Sequence, residues 1–110
     1  MIAPDKQHIT QTEFNRLLML PEYGDRRVEL WDGEIVEKMP KPRHSLIIGE
    51  LYFLIRLFLQ THAIGTVMTE TQIDVPEEDY APVPDLCFVA IEQGEWDKDA
   101  ALPWMPRLIV

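Results

Sequence analysis

The stretch from about His44 to His62 constrains this chain most, because its pattern is helical yet apolar on nearly every side: Leu46, Ile47, Ile48, Leu51, Tyr52, Phe53, Leu54, Ile55, Leu57, Phe58 and Leu59. A helix with one apolar stripe needs one neighbour, whereas a helix apolar all round has to be covered on most faces. Any fold for this sequence therefore has to wrap other elements around that segment. The stretch is interrupted by Gly49, Glu50 and Arg56 and is too short to span a bilayer, so no membrane partner is expected.

Length limits the covering material. A chain of 110 residues makes one domain at most, and 46% hydrophobic with 26% charged residues is the composition of a folded globular protein. The charge is -9, and it is uneven: residues 1–60 carry 8 basic and 9 acidic side chains, residues 61–110 carry 2 and 10. That balance excludes a general polyanion-binding surface, which needs several Lys and Arg against phosphates, but leaves room for a local basic patch. The single cysteine, Cys87, excludes an internal disulfide and a Cys-rich zinc site, and its apolar neighbours predict a buried thiol. The first residues, Met-Ile-Ala-Pro-Asp-Lys-Gln-His, lack the apolar core of a secretory signal, so a cytoplasmic location is expected, with residues 1–9 a flexible N-terminus.

Before the long helix, Thr10-x-x-Glu13 has capping-box spacing, and Phe14, Leu17 and Leu18 then fall on one face, predicting a helix over 11–20 stopped by Pro21. Arg27-Val-Glu-Leu-Trp31, Asp32-Gly33 and Glu34-Ile-Val-Glu-Lys38 read as a hairpin, because Asp-Gly tolerates the positive φ of a type I′ turn. In that register Leu30 faces Ile35, Glu29 faces Val36, and Glu29 shares a sheet face with Trp31. After the long helix Gly65 is expected as its cap. Thr66 to Val75 alternates like a strand, residues 76–84 read as a loop, and Asp85 to Ile91 as a central strand apolar on both faces. Pro106-Arg-Leu-Ile-Val110 has the look of the first half of another buried strand. A domain seldom stops inside an apolar strand, so a fragment lacking its C-terminal part is expected.

The familiar nucleophile and phosphate-loop motifs are missing. Val83-Pro84-Asp85-Leu86 instead sets a carboxylate at the start of a buried strand just after an irregular loop. Divalent cations such as Mg²⁺ take one or two carboxylates plus phosphate oxygens, which makes Asp85 a candidate ligand; the alternative is a turn cap after Pro84. Glu29, flanked by Val28 and Leu30, is the second candidate. If buried it needs a metal or an Arg such as Arg26 or Arg27 as partner, and otherwise it is a solvated strand-face carboxylate. His44, at the start of the long helix, would touch a phosphate, act as a base or serve structure. Lys38, Lys41 and Arg43 read as a solvated basic patch, Glu77, Glu78 and Asp79 as a solvated acidic loop, and Trp96 and Trp104 as a cover for the sheet.

Taken in order, the Arg27-to-Val36 hairpin with its Glu-Leu-x-Asp-Gly-Glu core, Pro42-Arg-His44 leading a long apolar helix, Val83-Pro-Asp-Leu86 and Pro106-Arg-Leu-Ile-Val110 resemble the Uma family of putative restriction endonucleases. That family, long catalogued as a domain of unknown function, looks like a member of the PD-(D/E)XK nuclease-like superfamily. The resemblance covers about residues 10–110. It implies an α/β, restriction-endonuclease-like core, a mixed β-sheet flanked by helices, here a single incomplete domain over 1–110. It further implies a metal-dependent endonuclease using Mg²⁺ (or Mn²⁺), with Asp85 as the metal ligand, Glu29 and His44 at the catalytic centre, and DNA as partner. The strand-borne Glu, the following Ser-Pro-Ser turn and the helix-borne Lys of the family lie beyond residue 110, and Arg107 stands where the family usually has Asp. An inactive chain is therefore expected, the alternative being a non-catalytic binding or self-association module, with the open Leu108-Ile109-Val110 strand suited to a homodimer.

Overall fold

The computed structural model describes residues 8–110. Helix α1 (Gln11–Leu17) leads into the hairpin β1 (Val28–Trp31) and β2 (Glu34–Glu37), then the long helix α2 (Pro42–Leu59), then strands β3 (Gly65–Thr69), β4 (Leu86–Ala90) and β5 (Leu108–Ile109). Of the expected flexible segment 1–9, residues 1–7 lie outside the described residues. Ile9 donates its N–H to the Gly33 carbonyl at 2.8 Å, and His8 Nε2 lies 2.7 Å from an Asp79 carboxylate oxygen.

Thr10 caps α1 as its spacing predicts: its hydroxyl accepts from the Glu13 N–H at 3.2 Å and donates to the Glu13 carboxylate at 3.1 Å. The helix ends earlier than residue 20. Leu20 is extended, as the residue before Pro21 tends to be, and the N–H groups of Met19 and Leu20 tighten into bonds three residues back. The hairpin has the register read from the sequence, Leu30 opposite Ile35 and Glu29 opposite Val36, with Asp32 (φ 47°) and Gly33 (φ 80°) both at positive φ. Leu30 also exchanges two backbone hydrogen bonds with Ala81, at 3.1 and 2.8 Å, which draws the 80–82 loop alongside β1. Phe14, Val28, Leu30 and Ala81 close the first core.

The second sheet has the order β3-β4-β5, all antiparallel, and β4 is central as its two-faced apolarity predicts. Cys87 and Val89 pack with Ile73 and Leu102 in a second core, over which Trp96 and Trp104 meet edge to face at 6.1 Å. Burial pushes the Cys87 thiol pKa up, a property of an inert core thiol. The architecture is the expected α/β one. Among the described residues its named strand pairs are antiparallel, and the one parallel contact is the Ile73–Leu102 bridge. No helix among those residues is long and apolar enough to cross a membrane.

Four expectations change. First, α2 packs on β3 through one face only: Ile48, Leu51, Tyr52, Ile55 and Leu59 are half-buried, while Leu46, Ile47, Phe53, Leu54, Leu57 and Phe58 are exposed on the opposite face. Two small sheets cannot wrap a five-turn helix. Second, Gly65 opens β3 and does not cap α2; Thr61 and His62 side chains bond the Phe58 carbonyl at the helix end. A Cβ at residue 65 would run into the Val89 carbonyl and the Phe88 ring, which is why glycine stands there. Third, β3 stops at Thr69 because Glu70 turns to φ 50°, so Ile73 and Val75 rejoin only through isolated bridges. Fourth, β5 pairs with β4 but is not buried: among the described residues its Leu108 and Ile109 side chains stay open to solvent.

Candidate functional site

The break at Glu70 and the start of β4 meet at one point, where the Glu70 N–H donates to the Asp85 carbonyl at 3.4 Å. Asp85 follows the extended Pro82-Val83-Pro84 run, and its own N–H is taken by the Val110 carbonyl at 3.0 Å, so its carboxylate is carried on paired backbone at a strand start. Around it three elements converge. Lys38, just past β2, donates to Asp85 Oδ1 at 3.0 Å and to the Val83 carbonyl at 2.5 Å. His44, in the first turn of α2, has Nε2 2.8 Å from Asp85 Oδ2. Glu70 stands 3.6 Å from the same Lys38 ammonium and 3.7 Å from Arg27. An open cleft of about 320 Å³ exposes the Lys38, His44 and Asp85 side chains to solvent.

Burial raises the Asp85 pKa, but the hydrogen bonds from Lys38 and His44, reinforced by their charges, outweigh it and hold the carboxyl below its ordinary value of 3.8. Asp85 is thus an ionised acceptor at neutral pH. It is a side-chain hub rather than a simple turn cap.

The three residues read from the sequence are brought to this region in different roles. Asp85 and His44 touch. Glu29 does not reach Asp85: one of its oxygens accepts the Val83 N–H at 2.5 Å and the other the Trp31 indole N–H at 3.2 Å, so it braces the loop that delivers Asp85. Its expected arginine partners are engaged elsewhere, Arg26 with Glu37 and Arg27 with Glu70. Two members were missed. Lys38 was read as part of a solvated patch, yet its side chain is only 15% exposed. Its backbone N–H bonds to the Arg27 carbonyl at 2.8 Å, which continues the hairpin and sets Lys38 two residues beyond Val36, on the Glu29 face; strict period-two counting would have found it. Glu70 had no sequence signal, because its place depends on the break in β3. The acidic run is also not merely solvated, since Asp79 accepts from the Gln11 N–H at 3.0 Å and pairs with His8.

Whether these groups suit a divalent ion follows from the donor chemistry. The Lys38 ammonium lies between the Asp85 and Glu70 carboxylates, so these two hard oxygen ligands already share one cation. Among the described residues no three His, Cys, Asp or Glu side chains come together to hold a metal. Mg²⁺ and Mn²⁺ accept such sparse sites, one or two carboxylates with water and phosphate completing the shell.

The structure is thus an α/β domain with an ionised aspartate at a strand start, flanked by lysine and histidine at an open cleft. The crystal structure of a "putative nuclease belonging to DUF820" from Anabaena variabilis ATCC 29413 superposes on it with a TM-score of 0.65 at 24% identity, over 86% of this chain and 50% of that one. This chain therefore spans half the length of that protein. The model of the Uma2 family, described as "Putative restriction endonuclease", matches residues 12–110, and the chain belongs to that family. Comparison with curated proteins gives no match.

Proposed function

We propose that this chain carries a Mg²⁺- or Mn²⁺-dependent DNA endonuclease site with Asp85 as the metal ligand. The observation that carries this reading is the Asp85 carboxylate, held ionised by Lys38 and His44 at the mouth of an open cleft. A bound divalent ion would polarise the scissile phosphate and lower the pKa of an attacking water. Lys38 holds the Val83 carbonyl and one Asp85 oxygen, fixing the carboxylate rotamer. His44, half-exposed beside the other oxygen, presents an imidazole to an incoming phosphate. Glu29 acts on the site only through Val83, as a positioning residue. On this reading the described residues supply the metal ligand Asp85, and the expectation carried from the sequence is that cleavage needs groups beyond these.

Titration with Mn²⁺ while following thermal unfolding tests the reading. A ligand that binds only the folded state adds about 2.7 kcal/mol at a hundredfold excess over its dissociation constant, a rise of several degrees in melting temperature. The stabilisation is expected in the native sequence and absent in Asp85→Asn. An equal response in both removes Asp85 from the metal site, and Mn²⁺-dependent cleavage of plasmid DNA by the native chain overturns the inactivity.

A second reading, self-association, is favoured by the outer face of α2. Leu46, Phe53 and Leu57 follow one another at i, i+7 and i+11, with Ile47, Leu54 and Phe58 one position further on, and each is half exposed or more. Together they form one continuous exposed apolar face, the kind of patch that marks an interaction surface. A second copy of the chain, laid helix on helix, is the occupant this reading proposes.

A further inference from the structure

Trp31 is the one of the three tryptophans that neither core uses. It ends β1 with its residue 46% exposed, whereas Trp96 and Trp104 pack against the second core. Its ring is nevertheless fixed. The indole N–H is held by Glu29, and Tyr80 meets it edge to face, with centroids 4.9 Å apart and planes at 70°. In an edge-to-face pair one ring's edge sits on one face of the other, and the remaining faces are left uncovered by the pair.

Two clefts adjoin this pair. One, of about 490 Å³, is lined by Trp31, Tyr80, Asp32 and Glu78. The other, of about 220 Å³, shares Trp31 and Tyr80 and runs past Pro84 to Lys38 and Asp85. The same Glu29 carboxylate that orients the indole also holds the Val83 N–H two residues before Asp85. Aromatic pair and candidate metal ligand are therefore tied through one side chain.

We propose that Trp31 and Tyr80 form a stacking platform for one unpaired nucleobase, whose phosphate reaches toward the Asp85 end of the cleft. The proposal rests on the DNA reading of the Asp85 site and deepens it by naming the form of substrate. The groups at the two ends differ in kind. At the Asp85 end Lys38 is already shared by Asp85 and Glu70, and the half-exposed His44 imidazole beside Asp85 is the group left to meet a phosphate. At the aromatic end the carboxylates of Asp32 and Glu78 repel phosphate and accept hydrogen bonds from an exocyclic amine, as Asp and Glu do from cytosine N4. Bases inside a duplex have both faces covered, so the platform takes single strands, frayed ends or flipped nucleotides. A chain with a charge of -9 gains little affinity from phosphate contacts alone, and stacking is the sequence-tolerant source that remains.

The test is equilibrium binding of a fluorescein-labelled single-stranded dC octamer, followed by anisotropy in Mn²⁺, to the native chain, Trp31→Ala, Trp31→Phe and Tyr80→Leu. Trp31→Ala is expected to weaken binding roughly tenfold or more, the scale of losing one stacked base, and Trp31→Phe to retain most of it. A fully abasic strand should bind the native chain no better than the dC octamer binds Trp31→Ala, and a blunt duplex no better than the abasic strand. Urea unfolding identifies folded variants, and if Trp31→Ala is not folded, Tyr80→Leu takes its place. Equal affinity of folded Trp31→Ala and native chain for the octamer, or equal affinity of the native chain for abasic and dC strands, overturns the platform. Mn²⁺ stabilisation separates the two readings: its retention in Trp31→Ala alongside lost octamer binding supports the platform. Its absence from the native chain sinks the metal reading, while Trp31-dependent binding of the octamer without metal would still uphold stacking.

Discussion

Replacing Glu29 by Ala sets two effects against each other, and the structure says which one wins. Glu29 is 8% exposed, and taking a carboxylate out of water carries a desolvation cost. Against that cost stand two charge-assisted bonds, from the Val83 N–H at 2.5 Å and the Trp31 indole N–H at 3.2 Å. Without Glu29 the N–H of the half-buried Val83 loses its acceptor, a cost of ~1–3 kcal/mol. The half-exposed Trp31 N–H finds water instead, so its share is only about 0.5 kcal/mol. We therefore expect Glu29→Ala to destabilise the chain by about 2 kcal/mol, a fall in melting temperature of roughly 8–12 °C for a domain of this size. Glu29→Gln keeps a side-chain oxygen for Val83 and loses only the charge assistance, about 1 kcal/mol or less. Urea unfolding at 25 °C, monitored by far-ultraviolet circular dichroism, measures both. A Glu29→Ala change within ~0.5 kcal/mol of zero would refute the reasoning, because desolvation of the carboxylate would then be as large as its two bonds.

The His8–Asp79 pair predicts a pH window for holding the N-terminal segment. The hydrogen bond to Asp79 raises the His8 pKa above 6.5, and the bonds from His8 and the Gln11 N–H lower that of Asp79 below 3.8. The His8 contribution is complete below 6.5 and is lost as pH rises through its raised value; the Asp79 contribution is present above 3.8 and is lost as pH falls through its lowered value. In a proton NMR titration Asp79→Asn should return the His8 midpoint toward 6.5, and an unmoved midpoint contradicts the pairing. For α2, Leu57→Glu should convert dimers of the native chain to monomers in sedimentation velocity without lowering its melting temperature; a native chain that stays monomeric at 100 μM, roughly a hundred times a micromolar dissociation constant, rules out the helix-on-helix dimer.

Local chemistry made much of this molecule legible in advance. The Thr10 cap, the Asp32-Gly33 turn with its register, the central β4 and the buried Cys87 each follow from rules acting over a few residues, and each is present. The site was half legible. Asp85 and His44 stood out as a carboxylate after Pro84 and an imidazole at a helix start, but their contact spans 41 positions and no local pattern encodes it. Lys38 was misread because a lysine beside Lys41 and Arg43 looks like surface, while its ammonium is held by Val83 and Asp85. Glu29 was seen as a residue needing a partner, and the partners are a backbone N–H and an indole rather than an arginine.

The long apolar helix shows where sequence and tertiary structure divide the work. Its existence and its being too short and interrupted to cross a membrane follow from residue order alone, since helix propensity and apolar length are local quantities, whereas its first turn begins at Pro42, two residues before the His44 expected. Which of its faces is covered was decided only by the fold. β3 takes the stripe from Ile48 to Leu59, and among the described residues the other stripe stays exposed while the remaining strands bury themselves in two small cores. Burial depends on which surfaces meet in space, and in a helix apolar all round the sequence carries no mark that distinguishes the inner face from the outer one.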